Sequence, residues 1–453
     1  MTRKLFGTDG VRGAAGSFLT PELALALGRA ATAGSPAERP QVLIIRDTRE
    51  SGEMLEAALA AGVSAAGGDA LLAGVLPTPA APLLIGRYGF DLAAVISASH
   101  NAYSDNGIKF FAGDGYKLSD ESELEIEREI ERRAAGSASE VAEGGTPPAI
   151  GRVRELHGAP EDYLRELHVR FEGLDLDGLE VVLDCANGAT YQVAPEIFRR
   201  LGAAVSVIAD APDGRNINAD CGSTHLGALV ERVRAGDHPV GFAFDGDGDR
   251  VLGVDRDGEV VDGDELMALA ALHLRSRGRL SGDGVVVTVM TNYGFHAAME
   301  QAGIAVAVTR VGDRYVLEEL RGRGWALGGE QSGHVIDMGF NRTGDGIATA
   351  LLTLEALAGS ELAERDAMHK LPQRLVNVPV RDRNAIEHAR ELDAAIGAAA
   401  EELQGRGRVL VRASGTEPLV RVMVEAPTDA EAEEICARLV AVVQRELGSA
   451  RAG

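Results

Sequence analysis

The sequence predicts an α/β protein of three similar domains followed by a smaller α+β domain, and three observations carry that reading. Continuous apolar runs rich in Val, Ile and Leu alternate with helix-like segments, which is how strands covered on both faces are written. The alternation recurs three times with the same internal order. Each recurrence ends in an unusually polar loop, and in open α/β sheets ligands gather beyond strand ends.

In the first recurrence the runs are Val42–Ile45, Ala70–Val75 and Leu92–Ile96, with a helix expected over Glu53–Ala61. The second has Val181–Leu183, Ala203–Ile208 and Val240–Phe244, with a helix over Ala194–Leu201. The third has Val285–Val289, Ile304–Thr309 and Trp325–Leu327, with a helix over Phe295–Gln301. The polar loops that close them are Ser97–Asn101, Asp245–Arg250 and Gly328–His334, and three such loops could face one cleft. Ser122-Glu-Leu-Glu125 reads as a capping box opening an acidic helix that runs to about Arg133. Gly144–Pro148 reads as a linker, and softer boundaries fall near Asp255–Gly258 and Lys370–Pro372. The tail reads helix (Glu387–Leu403), strand (Val409–Val411), strand (Val420–Val424) and helix (Ala430–Leu447). Domains are therefore expected at residues 1–150, 151–255, 256–370 and 371–453.

Composition narrows the function. The 453 residues are 45% hydrophobic but only 4% aromatic, so Ala, Val and Leu must fill the cores. With 45 Lys and Arg against 69 Asp and Glu, the net charge is −24. That argues against nucleic acid or an anionic membrane as partner, while a small anionic substrate needs only a local basic pocket. Cys185, Cys221 and Cys436 are far apart and odd in number, which indicates neither a disulfide framework nor a zinc site. The stretch from Met1 to Gly10 lacks the apolar core of a signal peptide, and no apolar run approaches the roughly 20 residues of a membrane span. A soluble, cytoplasmic protein is expected.

The most informative motif is Asp245-Gly-Asp-Gly-Asp-Arg250. Three carboxylates at i, i+2 and i+4 on a glycine-loosened loop can converge on one hard divalent cation such as Mg²⁺. An EF-hand has the same opening but needs Gly at position 6 and Glu at position 12. Those positions hold Arg250 and Arg256 here, so the EF-hand fails. A second motif is Arg412-Ala-Ser-Gly-Thr-Glu-Pro-Leu-Val-Arg421, between the two tail strands. Its guanidiniums, hydroxyls and freed N–H groups suit phosphate.

Ser97-Ala-Ser-His-Asn101 places hydroxyls after a buried strand. No Gly-x-Ser-x-Gly elbow occurs, and His100 adjoins Ser99 in sequence, which does not suit a triad. A phosphate on Ser99, adding about −1.5 to −2 of charge, would complete the shell of a metal held by Asp245, Asp247 and Asp249. That much negative charge calls for nearby cations, and Lys109, Arg12 and Arg250 are the candidates. Gly329-Glu-Gln-Ser-Gly-His334 offers Glu330, Ser332 and His334 for hydrogen bonds to sugar hydroxyls. The chain has no Walker A loop, no Gly-x-Gly-x-x-Gly and no His-Glu-x-x-His.

Phe6–Gly13, Ser97–Asn101 with Asp105–Lys109, Asp245–Arg250, Gly329–His334 and Arg412–Arg421 occur in an order that resembles the α-D-phosphohexomutase superfamily over essentially the whole chain. Leu5–Gly10, Val311–Val316 and Gln331 resemble its branch acting on glucosamine phosphates. The resemblance implies four domains around a central cleft. It implies interconversion of glucosamine 6-phosphate and glucosamine 1-phosphate, on the route to UDP-N-acetylglucosamine. Ser99 then matches the phosphoserine, and Asp245, Asp247 and Asp249 match the Mg²⁺ ligands, one ion per chain. Glu330 and Ser332 match the sugar loop, and Arg412, Ser414, Gly415, Thr416 and Arg421 match the phosphate loop. A glucosamine 1,6-bisphosphate is the implied intermediate and activator, Lys109 or His100 could serve as general base, and a homodimer is compatible with the chain. One departure stands out: the superfamily usually has Pro after Ser-His-Asn, and here the residue is Ala102, so the φ lock of proline is absent. The alternatives are the same transfer on glucose or mannose phosphates, and a non-catalytic sugar-phosphate or divalent-cation binding protein.

Overall fold

The structure, a computed structural model, describes residues 4–135, 149–414 and 417–448, without the side chains of residues 383 and 384. The expected linker Gly144–Pro148 lies outside the described residues. The chain forms two compact units, Met1–Val289 with Ala307–Arg365, and Met290–Val306 with Asp366–Gly453.

The first sheet holds β1 (Val11–Ala14), β2 (Gln41–Arg46), β3 (Asp69–Val75), β4 (Leu92–Ile96), β5 (Asp105–Ala112) and β6 (Val153–Glu155), in the order β1-β5-β4-β2-β3-β6. The second holds β7 (Glu180–Asp184), β8 (Ala204–Ile208), β9 (Val240–Phe244), β10 (Val251–Asp255) and β11 (Val260–Val261), in the order β11-β10-β9-β7-β8. The third holds β12 (Gly284–Thr288), β13 (Ala305–Thr309), β14 (Leu327–Gly329) and β15 (Val335–Asp337), in the order β13-β12-β14-β15. In each sheet the first run of the sequence pattern lies between the second and third runs. The common topology expected from the sequence is therefore present.

One feature is absent from the sequence pattern. In every sheet the third run turns back into an antiparallel strand: β4 with β5, β9 with β10, β14 with β15. The sheets are mixed, and the three polar loops are the connections of these returns. The strands that aim the loops are anchored by burial, since β4 and β9 are buried at every residue.

Helices Pro21–Ala33 and Gly52–Ala65 pack closely on the first sheet, above a core that includes Leu27, Ile44, Leu55, Leu59 and Ile96. A Cβ on Gly62 would lie 2.1 Å from the Leu25 carbonyl oxygen, so that approach requires glycine. The tail of the chain forms a third kind of layer. β16 (Gln373–Pro379), β17 (Arg408–Ala413) and β18 (Leu419–Glu425) make an antiparallel sheet in the order β16-β18-β17. Helices Arg390–Glu402 and Asp429–Leu447 cover a core of Val420, Val422, Leu392, Leu439 and Val443.

Three expectations need correction. The acidic helix is Asp120–Ala134 and its cap is Ser119, whose side chain accepts from Ser122 N, so Ser122 lies inside the first turn. The third run of the third recurrence is Leu327–Gly329, two residues later than expected, because two glycines carry strand hydrogen bonds without apolar side chains. The tail strand β16 escaped the sequence reading because its residues are mostly exposed. No helix among the described residues is long and apolar enough to cross a membrane.

Candidate active site

β4 ends at Ile96, and the polar segment leading to β5 brings Ser99 to a buried position. Ser99 has φ +52°, a left-handed conformation uncommon for a residue with a Cβ and worth about 1–3 kcal/mol of strain. Its Oγ donates to Asp245 Oδ2 at 2.5 Å and lies 3.3 Å from His100 Nδ1. The neighbouring chain must come very close: a Cβ on Gly246 would lie 2.6 Å from the Ser99 carbonyl oxygen. The glycine between the first two aspartates is thus required by the approach of the serine loop, beyond any role in loosening its own loop.

Asp245, Asp247 and Asp249 are all buried, and one carboxylate oxygen from each lies within 4.8 Å of the others. Asp247 divides its two oxygens. Oδ2 accepts from Thr78 Oγ1 at 2.6 Å and from Lys109 Nζ at 2.8 Å, while Oδ1 is buried and accepts no hydrogen bond. Asp249 Oδ1 likewise accepts none, with His334 Nδ1 at 3.6 Å. Buried carboxylate oxygens left without donors are costly, and a divalent cation bound by oxygen removes that cost. The trio therefore fits a hard metal ion. The electrostatics agree: burial, then repulsion by Asp249 and Asp247, pushes the Asp245 carboxyl well above the usual carboxylate range.

Cations surround the trio. Lys109, on β5 and fully buried, sits 2.8 Å from Asp247, 3.6 Å from Asp9 and 3.8 Å from Asp249. Burial lowers its pKa, but attraction by Asp247, Asp9 and Asp249 outweighs that and holds it above its ordinary value. It is an ammonium ion in this arrangement. Arg12, on β1, pairs with Asp9, and its Nε is buried without a hydrogen-bond partner. Arg250 Nε lies 3.9 Å from Asp249 Oδ1 and is also without a hydrogen bond. The His100 imidazole is lowered by burial and then by repulsion from Arg250 and Arg12.

The loop between β14 and β15 is more tightly tied than its polar sequence suggests. Glu330 Oε1 accepts from Gly312 N at 2.9 Å, and Gln331 Nε2 donates to Asp262 Oδ2 at 3.2 Å. Ser332 is exposed. His334 is buried, and its Nε2 accepts from Gly344 N at 3.1 Å, which leaves Nδ1 as the protonated nitrogen toward Asp249. His334 thus braces the aspartate loop. The sequence reading also missed Thr78, Asp9, Lys117 and Asp313. Lys117 Nζ donates to Asp9 Oδ1 at 2.6 Å and to Asp313 Oδ2, so it links the segment before β1 to the start of the helix Asp313–Arg323.

In the second unit, Arg412 on β17 stands directly across from Arg421 on β18. Burial, then repulsion by Arg421, lowers the Arg412 guanidinium. Arg421 Nε is buried without a hydrogen-bond partner. Like charges placed opposite each other are destabilising unless an anion sits between them. Ser414 is buried beside them, and Gly415 and Thr416 lie outside the described residues.

Comparison with known proteins agrees with this picture. Phosphoglucomutase/phosphomannomutase family models match as alpha/beta/alpha domain I over residues 3–136, domain II over 161–258, domain III over 262–375, and the C-terminal domain over 375–442. A phosphoglucosamine mutase of Moorella thermoacetica is 52% identical, covering 96% of this chain and 98% of the relative. One from Desulforudis audaxviator is 51% identical, covering 97% of each. Among solved structures, a phosphoglucomutase/phosphomannomutase family protein from Burkholderia thailandensis superposes with a TM-score of 0.82 at 23% identity, over 98% of this chain and 99% of that one. Aspergillus fumigatus N-acetylphosphoglucosamine mutase, solved with GlcNAc-6P and magnesium, superposes with a TM-score of 0.68 at 19% identity, over 99% and 96%. The three repeated sheets and the tail sheet are thus those of a known group: the chain belongs to the phosphoglucomutase/phosphomannomutase family, alongside relatives named phosphoglucosamine mutases.

Proposed function

We propose that this chain interconverts glucosamine 6-phosphate and glucosamine 1-phosphate through a phosphoserine at Ser99. The observation that carries the mechanism is the Ser99 hydroxyl, turned by a left-handed backbone onto Asp245 of a trio with unsatisfied carboxylate oxygens. Phospho-Ser99 donates its phosphoryl group to O1 of the 6-phosphosugar: the Ser99 Oγ–P bond breaks, the O1–P bond forms, and the O1 proton leaves to a base. The resulting glucosamine 1,6-bisphosphate turns over, and its 6-phosphoryl group returns to Ser99, releasing the 1-phosphate. Each turnover restores the phosphoenzyme.

One Mg²⁺ per chain, held by Asp245, Asp247, Asp249 and phospho-Ser99, would supply Lewis-acid polarisation of the phosphoryl oxygens. Lys109, Arg12 and Arg250 offset the negative charge that this arrangement gathers, which is most of what phosphoryl transfer asks of a protein. Because Lys109 is held as an ammonium ion, it suits charge stabilisation. His100, lowered toward the neutral imidazole and 3.3 Å from Ser99 Oγ, suits proton acceptance better. Glu330 and Ser332 are assigned to the sugar side, while His334, buried with Nε2 on Gly344 N and Nδ1 toward Asp249, is assigned to the aspartate loop. Arg412, Ser414, Gly415, Thr416 and Arg421 are assigned to the phosphate that is not reacting.

The same reading keeps four domains, with the boundaries expected after residues 150 and 255 moved past β6 (Val153–Glu155) and β11 (Val260–Val261), which belong to the first and second sheets, and it takes a cytoplasmic location and a possible homodimer with it. The test is turnover of glucosamine 6-phosphate, glucose 6-phosphate and mannose 6-phosphate side by side, with Mg²⁺ and a trace of hexose 1,6-bisphosphate, for the parent and Ser99→Ala. The amino sugar should be preferred, and Ser99→Ala should lose at least about 10³-fold. Near-parent turnover by Ser99→Ala would sink the covalent scheme.

A further inference from the structure

The peptide units around Ser99 are held from both sides by buried groups that the reaction does not use. On one side, Ser99 N–H donates to Ser97 Oγ at 2.9 Å, Ser97 Oγ donates to Asp47 Oδ2 at 2.6 Å, and Arg49 Nε donates to the same oxygen at 2.8 Å. On the other side, the Ser99 carbonyl accepts from Arg49 Nη2 and from Asn218 Nδ2, each at 2.9 Å. Arg49 Nη2 also reaches the Asn101 carbonyl at 2.9 Å, and Nη1 reaches the carbonyls of Asp105, at 2.9 Å, and of Ala102. Asn218 Nδ2 adds a second bond to Asn101, at 3.1 Å. One guanidinium therefore ties four carbonyls of the loop to the carboxylate behind it.

Arg49 is fully buried, so its charge is not offered to a substrate. A buried guanidinium is tolerated when its donors are all used and a carboxylate offsets its charge. Here those donors are spent almost entirely on main chain. A left-handed serine persists only where its surroundings over-determine it, and the loop lacks the φ lock that proline at position 102 would give. The fork of Arg49 ends on that residue's carbonyl.

We propose that Arg49, with Asp47, Ser97 and Asn218, is the positioning device that holds Ser99 in its left-handed conformation and aims its hydroxyl at Asp245. None of the four is a catalytic residue, since none touches the reacting atoms. The inference rests on Ser99 being the phosphoryl carrier.

The experiment measures kcat and KM for glucosamine 6-phosphate, with Mg²⁺ and a trace of hexose 1,6-bisphosphate, together with thermal unfolding. The variants are Arg49→Lys, Ser97→Ala and Asn218→Ala, with Ser99→Ala as control. Misplacing a reacting group by about 1 Å costs on the order of 100-fold in rate. Arg49→Lys should therefore lose about 100-fold in kcat, and the other two about tenfold or more, with KM changed less than about threefold. The unfolding midpoints of Ser97→Ala and Asn218→Ala should stay within a few degrees of the parent. If Arg49→Lys fails to fold, those two variants decide. The proposal is overturned if both keep kcat within about threefold of the parent, or if their loss appears in KM alone. Ser99→Ala separates the two ideas: an inactive control beside fully active clamp variants removes this inference only, whereas an active control removes the phosphoserine reading with it.

Discussion

Asp247 is the residue on which most of the site turns. Thr78 and Lys109 saturate one of its oxygens and leave the other bare, so its carboxylate is already oriented before any ligand arrives. Asp247→Asn keeps the shape but removes the charge that holds Lys109. We expect the Mg²⁺ concentration for half-maximal activity to rise tenfold or more, since even partners one layer further out are worth roughly 10–100-fold in metal affinity. Calorimetric titration with Mg²⁺ should show the same loss without substrate. Unchanged Mg²⁺ binding would rule the trio out as the metal site. At this scale the sequence was informative where chemistry is local. Ser99 with His100, and the three aspartates, stand within a few positions of one another. Thr78 and Lys109 meet Asp247 from 169 and 138 residues away. Arg49 reaches Ser99 across 50 residues. Thr78 and Arg49 look like ordinary polar residues until the strands are in register, whereas Lys109 already stood among the expected cations. The reading of His334 as a sugar ligand met the same limit, because its contact with Asp249 is made by folding.

The helix Gly346–Leu357 shows how one end of an element can carry a pH dependence. Its cap, Asp345, accepts from Ala348 N at 3.0 Å and from the Tyr163 hydroxyl at 3.0 and 3.1 Å, beneath the surface. Asn341 joins Asp345 to the Pro79 carbonyl of the first sheet's domain. Burial, against the pull of these hydrogen bonds, raises the Asp345 carboxyl from 3.8 to about 6. A carboxyl raised on folding means that the native state binds the extra proton between about pH 4 and about pH 6. Stability therefore falls as pH rises through that window, by on the order of 3 kcal/mol in all. Asp345→Asn keeps an oxygen for the cap and removes the titration. Its melting temperature relative to the parent should improve on going from about pH 4 to about pH 7. A constant difference across that range would refute the assignment. The elements themselves were readable where apolar runs were continuous, as in β4 and β9, whose bounds the sequence reproduced. The antiparallel returns and β16 were not: β5 is buried but interrupted by Asn106, Gly107 and Lys109, β15 is only Val335–Asp337, and β16 is mostly exposed.

Over the whole molecule, 69 acidic residues against 45 basic ones leave a charge of −24. Surface pairs such as Arg39 with Asp69 and Arg200 with Glu161 offset part of that charge, and the excess of acid leaves net repulsion. Added salt shortens the range of that repulsion, from about 30 Å at 0.01 M to about 8 Å at 0.15 M. The melting temperature should consequently rise by a few degrees over that interval, as read by calorimetry at fixed pH and Mg²⁺. A fall would show that attractive ion pairs outweigh the net charge. The threefold recurrence was legible at this scale because each sheet repeats one order of buried strands. Preference for an amino sugar was not. Gln331, which resemblance singled out, donates its amide N–H to Asp262, a contact made by folding that the sequence does not announce.

The backbone at Ser99 also chooses which hydroxyl amino acid the site accepts. A β-branched side chain is a genuine outlier at positive φ, so threonine would bring the same oxygen with a methyl group that the φ of +52° disfavours. Ser99→Thr should fold, yet accept a phosphoryl group from hexose 1,6-bisphosphate far more slowly than serine does, as phosphopeptide mass spectrometry over time would show. In this loop the alphabet of workable nucleophiles is set by a torsion angle before any chemistry begins.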